Sequence, residues 1–101
     1  MTTLLSCQDI IENLTTAIVV MDHSLRVNKL NSAAEIMFGM SQRQAEDIPI
    51  HALLLGEGDL LNSLERVQKT GQQLIEREVK LYIPSAGDIV VDCAIKLVET
   101  E

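Results

Sequence analysis

A few residues in this sequence have the types that do chemistry, and their spacing decides whether they do it. Cys7 and Cys93 carry thiols, which serve as nucleophiles and soft metal ligands, yet they stand far apart with no C-x-x-C spacing and no histidine at ligand distance. They are expected to be two free thiols of a reducing compartment. The general-base candidates are His23 and His51. His23 falls in the polar cluster Asp22-His23-Ser24, where a solvated turn residue is expected; His51 follows Pro49 among short helical segments, a partly buried structural place. Neither has a Cys, Ser or carboxylate at catalytic spacing. Gly56 and Gly58 lack the strand-to-helix context and the lysine of a phosphate loop, so this stretch reads as a helix entry. No catalytic residue, metal ligand or cofactor-binding residue is predicted, and the chain itself is not expected to be an enzyme.

Arg77 breaks the surrounding pattern. It falls on the same alternating face as Ile75, Val79 and Leu81, where an unpaired charge is costly to bury. Either its strand is an edge and the guanidinium reaches solvent, or it lines a concave face and pairs with an acidic ligand or with Glu35 or Glu46.

Composition bounds the remaining classes. The 101 residues suit one domain able to bury about two-thirds of its unfolded surface. Hydrophobic residues make up 47%, which excludes a disordered chain, but no apolar run approaches the roughly 20 residues of a membrane span. A net charge of −7 with 8 basic residues argues against nucleic acid and against an anionic membrane surface. The opening MTTLLSCQD has neither the basic region nor the long apolar region of a secretory signal, so a cytoplasmic location is expected.

The elements that must position these residues follow from periodicity. Ala17 to Met21 is an apolar, strand-compatible run; Asp22, His23 and Ser24 turn the chain; Leu25 to Leu30 returns it. Asn31 or Ser32 then caps a helix, with Glu35 completing a possible capping box on Ser32, and Gly39 ends it. Ser41 with Gln44 starts further short helical turns broken by Pro49, and Leu60 to Thr70 forms a longer amphipathic helix closed by Gly71. From Gln72 the period changes to two. Ile75, Val79, Leu81 and Ile83 share one face, and after a turn over 84–88 the strand from Ile89 to Val98 pairs back as an antiparallel hairpin. Ahead of all this, Ser6 with Asp9 and Leu5 with Ile10 have the form of a cap and a hydrophobic staple, predicting a helix over Cys7 to Leu14 within an amino-terminal segment 1–15. Its apolar side either covers the sheet of its own domain or forms a homodimer seam of Leu4, Leu5, Ile10, Ile11 and Leu14.

The order of Asp22, a short strand with Leu25 and Val27, Leu30-Asn31-Ser32-Ala33-Ala34-Glu35 and a helix ending at Gly39 resembles the start of a PAS domain. With the run Ile11-Glu12-Asn13-Leu14-Thr15-Thr16-Ala17 before it, the chain resembles the amino-terminal PAS domain of nitrogen-regulation sensor histidine kinases. The resemblance implies an α+β fold, one antiparallel sheet with helices on one face, filling 1–101 as a single domain. It also implies five strands in spatial order 2-1-5-4-3, of which the chain as given supplies the first four, so a fifth is expected to be lacking and its place filled by another copy, a displaced segment or water. The long helix has no histidine for haem, and with few aromatics and no Asn-Cys-Arg-Phe-like run a flavin is not expected; the cofactor expectation is none. The implied function is homodimerisation and signal transmission to a downstream kinase core of a two-component system. The alternative is a sensor binding a small metabolite among Ile36, Met37, Leu64 and Val79, with Arg77 at its rim.

Overall fold

The structure, a computed structural model, describes residues 2–9, 16–54, 58–83 and 87–98. The elements in chain order are β1 (Thr2–Asp9), β2 (Thr16–Met21), β3 (Val27–Leu30), α1 (Ser32–Phe38), α2 (Gln42–Ala45), α3 (Ile50–Leu53), α4 (Gly58–Thr70), β4 (Leu74–Ile83) and β5 (Gly87–Val98). The strands form one antiparallel sheet in the order β3-β2-β1-β5-β4, an α+β fold as expected.

The amino terminus corrects the sequence reading. Cys7 to Asp9, predicted to begin a helix, instead complete a strand, Thr2–Asp9, at the centre of the sheet, paired with β2 from Thr3↔Met21 to Gln8↔Thr16 and with β5 from Thr2↔Val98 to Asp9↔Val91. The helical cap and staple signals are local, and they lose to a position where both edges of the segment find backbone partners. The alternation is there to be seen: Thr3, Leu5 and Cys7 are buried while Leu4, Ser6 and Gln8 face outward. The expectation of a lacking fifth strand is likewise corrected, because the sheet has its full five strands and the chain's own beginning provides one. The remainder of the predicted helix, including Ile10, Ile11 and Leu14, lies outside the described residues.

The hairpin and first helix form as the sequence predicts. Asp22 Oδ1 accepts from the amides of Ser24 at 2.9 Å and Arg26 at 3.1 Å, which holds the turn and lets Leu25 take a φ of 60°. The helix is capped by Asn31, and its side chain does more than cap. Asn31 Oδ1 accepts from Ala34 N and Ile18 N, each at 2.9 Å, while Asn31 Nδ2 donates to Thr16 O at 2.8 Å. One amide thus fastens α1 to β2. The Ser32–Glu35 box does not form; the Glu35 carboxylate instead accepts from Gln42 N at 2.7 Å and links α1 to α2. At α2 the Ser41–Gln44 capping box is complete in both directions.

The helices cover one face of the sheet. Leu60, Leu64 and Val67 of α4 are buried against it, with Leu5, Val19, Met21, Leu81, Val91 and Ile95 supplying the opposite side. Each such burial contributes about 1.5–3 kcal/mol, which is what makes a helix of this length stable where an isolated one is marginal. The edge strand β3 is covered by the segment before α3, through Val27 N to Ile48 O at 2.9 Å and Asp47 N to Val27 O at 2.8 Å. Replacing Asn31 with Ala removes a cap and leaves the Ile18 amide and Thr16 carbonyl short of partners, so urea denaturation should show a loss of about 2–4 kcal/mol with the slope unchanged.

Candidate functional site

Among the described residues, chemistry-bearing side chains come together on the helix-covered face of the sheet. Cys7 of β1 and Cys93 of β5 are directly opposed in the ladder, with a Cα–Cα distance of 4.1 Å, and they form a disulfide. That separation belongs to the narrow pairs of an antiparallel ladder, where opposed side chains come closest. The expectation of two free thiols is therefore corrected: 86 positions of sequence separation gave no hint of contact, but the sheet places the two residues side by side. Both are buried, Cys7 at 4% and Cys93 at 1% exposure.

The row continues onto β4. Glu76 is the cross-strand partner of Cys93, and its Oε1 accepts a hydrogen bond from the hydroxyl of Ser63, a buried residue of α4, at 2.9 Å. A carboxylate on this face contradicts the simple period-two reading, which put Ile75 inward and Glu76 outward. The reason is a bulge. The register shifts between Glu76 and Val79, and Glu78 has a φ of 53°. Val79, Leu81 and Ile83 point inward beyond the bulge as predicted, whereas Ile75 before it points outward with 68% exposure.

Arg77 lies within the bulge. Its side chain is 75% exposed and its Nη1 is 3.6 Å from Asp92 Oδ2 on β5, while Asp92 Oδ1 accepts from Glu78 N at 2.9 Å. It meets neither Glu35 nor Glu46, and β4 is an edge strand. An ion pair this exposed contributes little, about 0–1 kcal/mol. The five residues considered for a metabolite pocket do not come together. Leu64 is fully buried, Met37 and Val79 are half-buried, Arg77 is on the outer side, and Ile36 is 81% exposed on the far side of α1. A surface groove of about 410 Å³ lies elsewhere, between the hairpin turn and the α3–α4 region, lined by Leu25, Arg26, Ile50, His51, Leu61 and Glu65. His51 is exposed there, against the expectation of partial burial, and His23 is exposed in its turn as predicted. Among the described residues no group of three or more His, Cys, Asp or Glu is placed to hold a metal ion, and no helix is long and apolar enough to cross a membrane.

Of the proposed dimer residues, Leu5 is 1% exposed and belongs to the domain's own core, while Leu4 lies half-buried on the outer face of the sheet. That face is the second notable surface. Ile18, Ser6, Ala94 and Ile75 are successive cross-strand neighbours over four strands, flanked by Val20 and Leu4, and none of the described helices covers them.

One face of a five-stranded antiparallel sheet packed by helices, with the other covered by none of the described helices, defines a two-layer α+β domain. A family model described as the PAS fold matches residues 7–99, and the chain belongs to that family. Membership marks it as a sensory or signalling module. No individual curated protein and no solved structure matches it. In family terms β2 and β3 are the first two strands and β4 and β5 the third and fourth, so β1 occupies the place of the fifth.

The role of Asn31 beyond capping, the Ser63–Glu76 pair and the cysteine pair were all missed from sequence. A period-two reading of residues 3–8 would have put Cys7 on the inner face, the same face as Cys93 in the alternation of Val91, Cys93 and Ile95. Reducing the disulfide, or replacing both cysteines with Ser, should lower the unfolding free energy in urea by about 2–5 kcal/mol, because the bond closes a loop of nearly the whole chain.

Proposed function

We propose that this domain is the sensory and dimerisation module of a cytoplasmic two-component sensor histidine kinase of the nitrogen-regulation type, passing conformational change to a downstream kinase core without a prosthetic group. The observation that carries the dimer is the outer face of the sheet, which none of the described helices covers and where Leu4, Ile18, Val20 and Ala94 are half-buried and Ile75 is largely exposed. A contiguous apolar band of this kind on a small domain marks a protein contact. The same band applied to itself about a two-fold axis gives a self-complementary seam. On this reading the interface lies on the sheet rather than on the apolar side of an amino-terminal helix, and Leu4 is common to both readings. The kinase assignment is supported by the family and by the resemblance of residues 11–39 to the nitrogen-regulation group.

Two experiments test the parts separately. Ile75→Asp should weaken self-association by at least about tenfold in sedimentation equilibrium while far-UV circular dichroism stays unchanged, since one buried interface side chain carries on the order of 1.4 kcal/mol or more. An unaltered association constant would move the seam elsewhere. Reading the encoding gene past the codon for Glu101 should reveal a histidine-bearing amphipathic helix and nucleotide-binding boxes. A stop codon there would overturn the kinase assignment while leaving the dimer intact.

A further inference from the structure

The amino-terminal strand is held unlike its neighbours. It is tied covalently to β5 by the Cys7–Cys93 bond. Its inward side chains are modest for a central strand: Thr3, Leu5 and Cys7, against Val91, Cys93 and Ile95 on β5 and Ala17, Val19 and Met21 on β2. Leu5 is the sole large aliphatic group that β1 gives to the core. Its outward side is Leu4, Ser6 and the exposed Gln8. The hold on β1 therefore comes from ladder hydrogen bonds and the disulfide more than from apolar burial. β5, by contrast, is also paired with β4 from Leu74↔Ile95 to Ile83↔Gly87, and β2 is also paired with β3 and held by the Asn31 hydrogen bonds.

We propose that the Cys7–Cys93 pair is a redox-modifiable latch on β1: a dithiol, small or carried on a protein, opens it, and opening frees the amino-terminal strand from the slot between β2 and β5 while the remainder of the domain stays folded. A thiolate of the reagent bonds to Cys7 Sγ; the Cys7–Cys93 bond breaks and its electron pair goes to Cys93 Sγ, which takes up a proton. The second thiol of the reagent, as thiolate, then attacks its own mixed-disulfide sulfur, closing the reagent's disulfide and releasing Cys7, which is protonated in turn. The protein disulfide is reduced by two electrons and the dithiol oxidised by two. Burial of both sulfurs means that attack waits on opening of β1, which gives the core one large aliphatic side chain. In a reducing compartment a cysteine pair of this kind is kept as a transient, sensing bond rather than a permanent staple. The latch needs neither the kinase assignment nor the dimer.

The test is hydrogen exchange on the whole chain, oxidised and after dithiothreitol, with Cys7→Ser as a permanently open form. Opening should cost the amides of Thr2–Asp9, together with the β2 and β5 amides that face them, on the order of tenfold or more in protection beyond whatever the buried turns of α4 and the β4–β5 ladder lose. Equal loss throughout, or unfolding seen by circular dichroism in the reduced wild type, would make the bond a structural staple and sink the proposal. So would unchanged protection of β1 after reduction, or failure of dithiothreitol to yield two alkylatable thiols under native conditions. If Cys7→Ser does not fold, the reduced wild type alone decides between these outcomes.

Discussion

The middle of the sheet is filled by β1. Without it the facing edges of β2 and β5 would each present a row of amide and carbonyl groups that water alone would have to partner. Much of the domain depends on filling that slot: β5 is central because β1 lies beside it, and the hairpin of β2 and β3 joins the hairpin of β4 and β5 into one sheet only through β1. Leu5 then meets α4 and the core becomes continuous from β2 to β4.

The sequence was legible where its signals were local. The β2–β3 turn, the Gly39 stop with a φ of 67°, the Ser41–Gln44 box and the α4 stripe of Leu60, Leu64 and Val67 all arise within a few residues of one another, and they stand where periodicity and capping put them. Two kinds of feature were not. The first is pairing at long range: nothing near Cys7 tells that Cys93 lies across from it, and a segment with both helical capping signals and strand alternation is resolved by the partners it finds. The second is the bulge at Glu76–Val79, where one shifted register reverses the inward face and sends Arg77 and Ile75 outward. A period-two reading has no means of seeing a phase change unless a glycine or proline marks it, and Glu78 does not.

The two faces divide the work of a signalling module in physical terms. The inner face is dense, with fully buried Met21, Leu64 and Ile95, and its polar content is confined to the Ser63–Glu76 pair and small groups such as Thr3. Interiors of this density transmit displacement because they compress little. The outer face is thinly apolar and uncovered by the described helices. A shift of β1 or β5 is felt on both sides at once, since successive residues of each strand point alternately to one and the other.

Thr2 and Val98 are antiparallel partners, so the beginning and end of the described chain emerge side by side at the same rim of the sheet. A tether on each would load this pairing in opposite directions across the ladder rather than along it. Such a geometry gives way as a zipper does, one rung at a time, from Thr2↔Val98 through Leu5↔Ile95, and needs less force than shearing all rungs together. At Cys7↔Cys93 the opening meets a covalent stop. Mechanically the domain is a short extensible segment in series with a hard limit: the rungs before the sulfur bridge can yield, and those after it are shielded for as long as the bridge is closed.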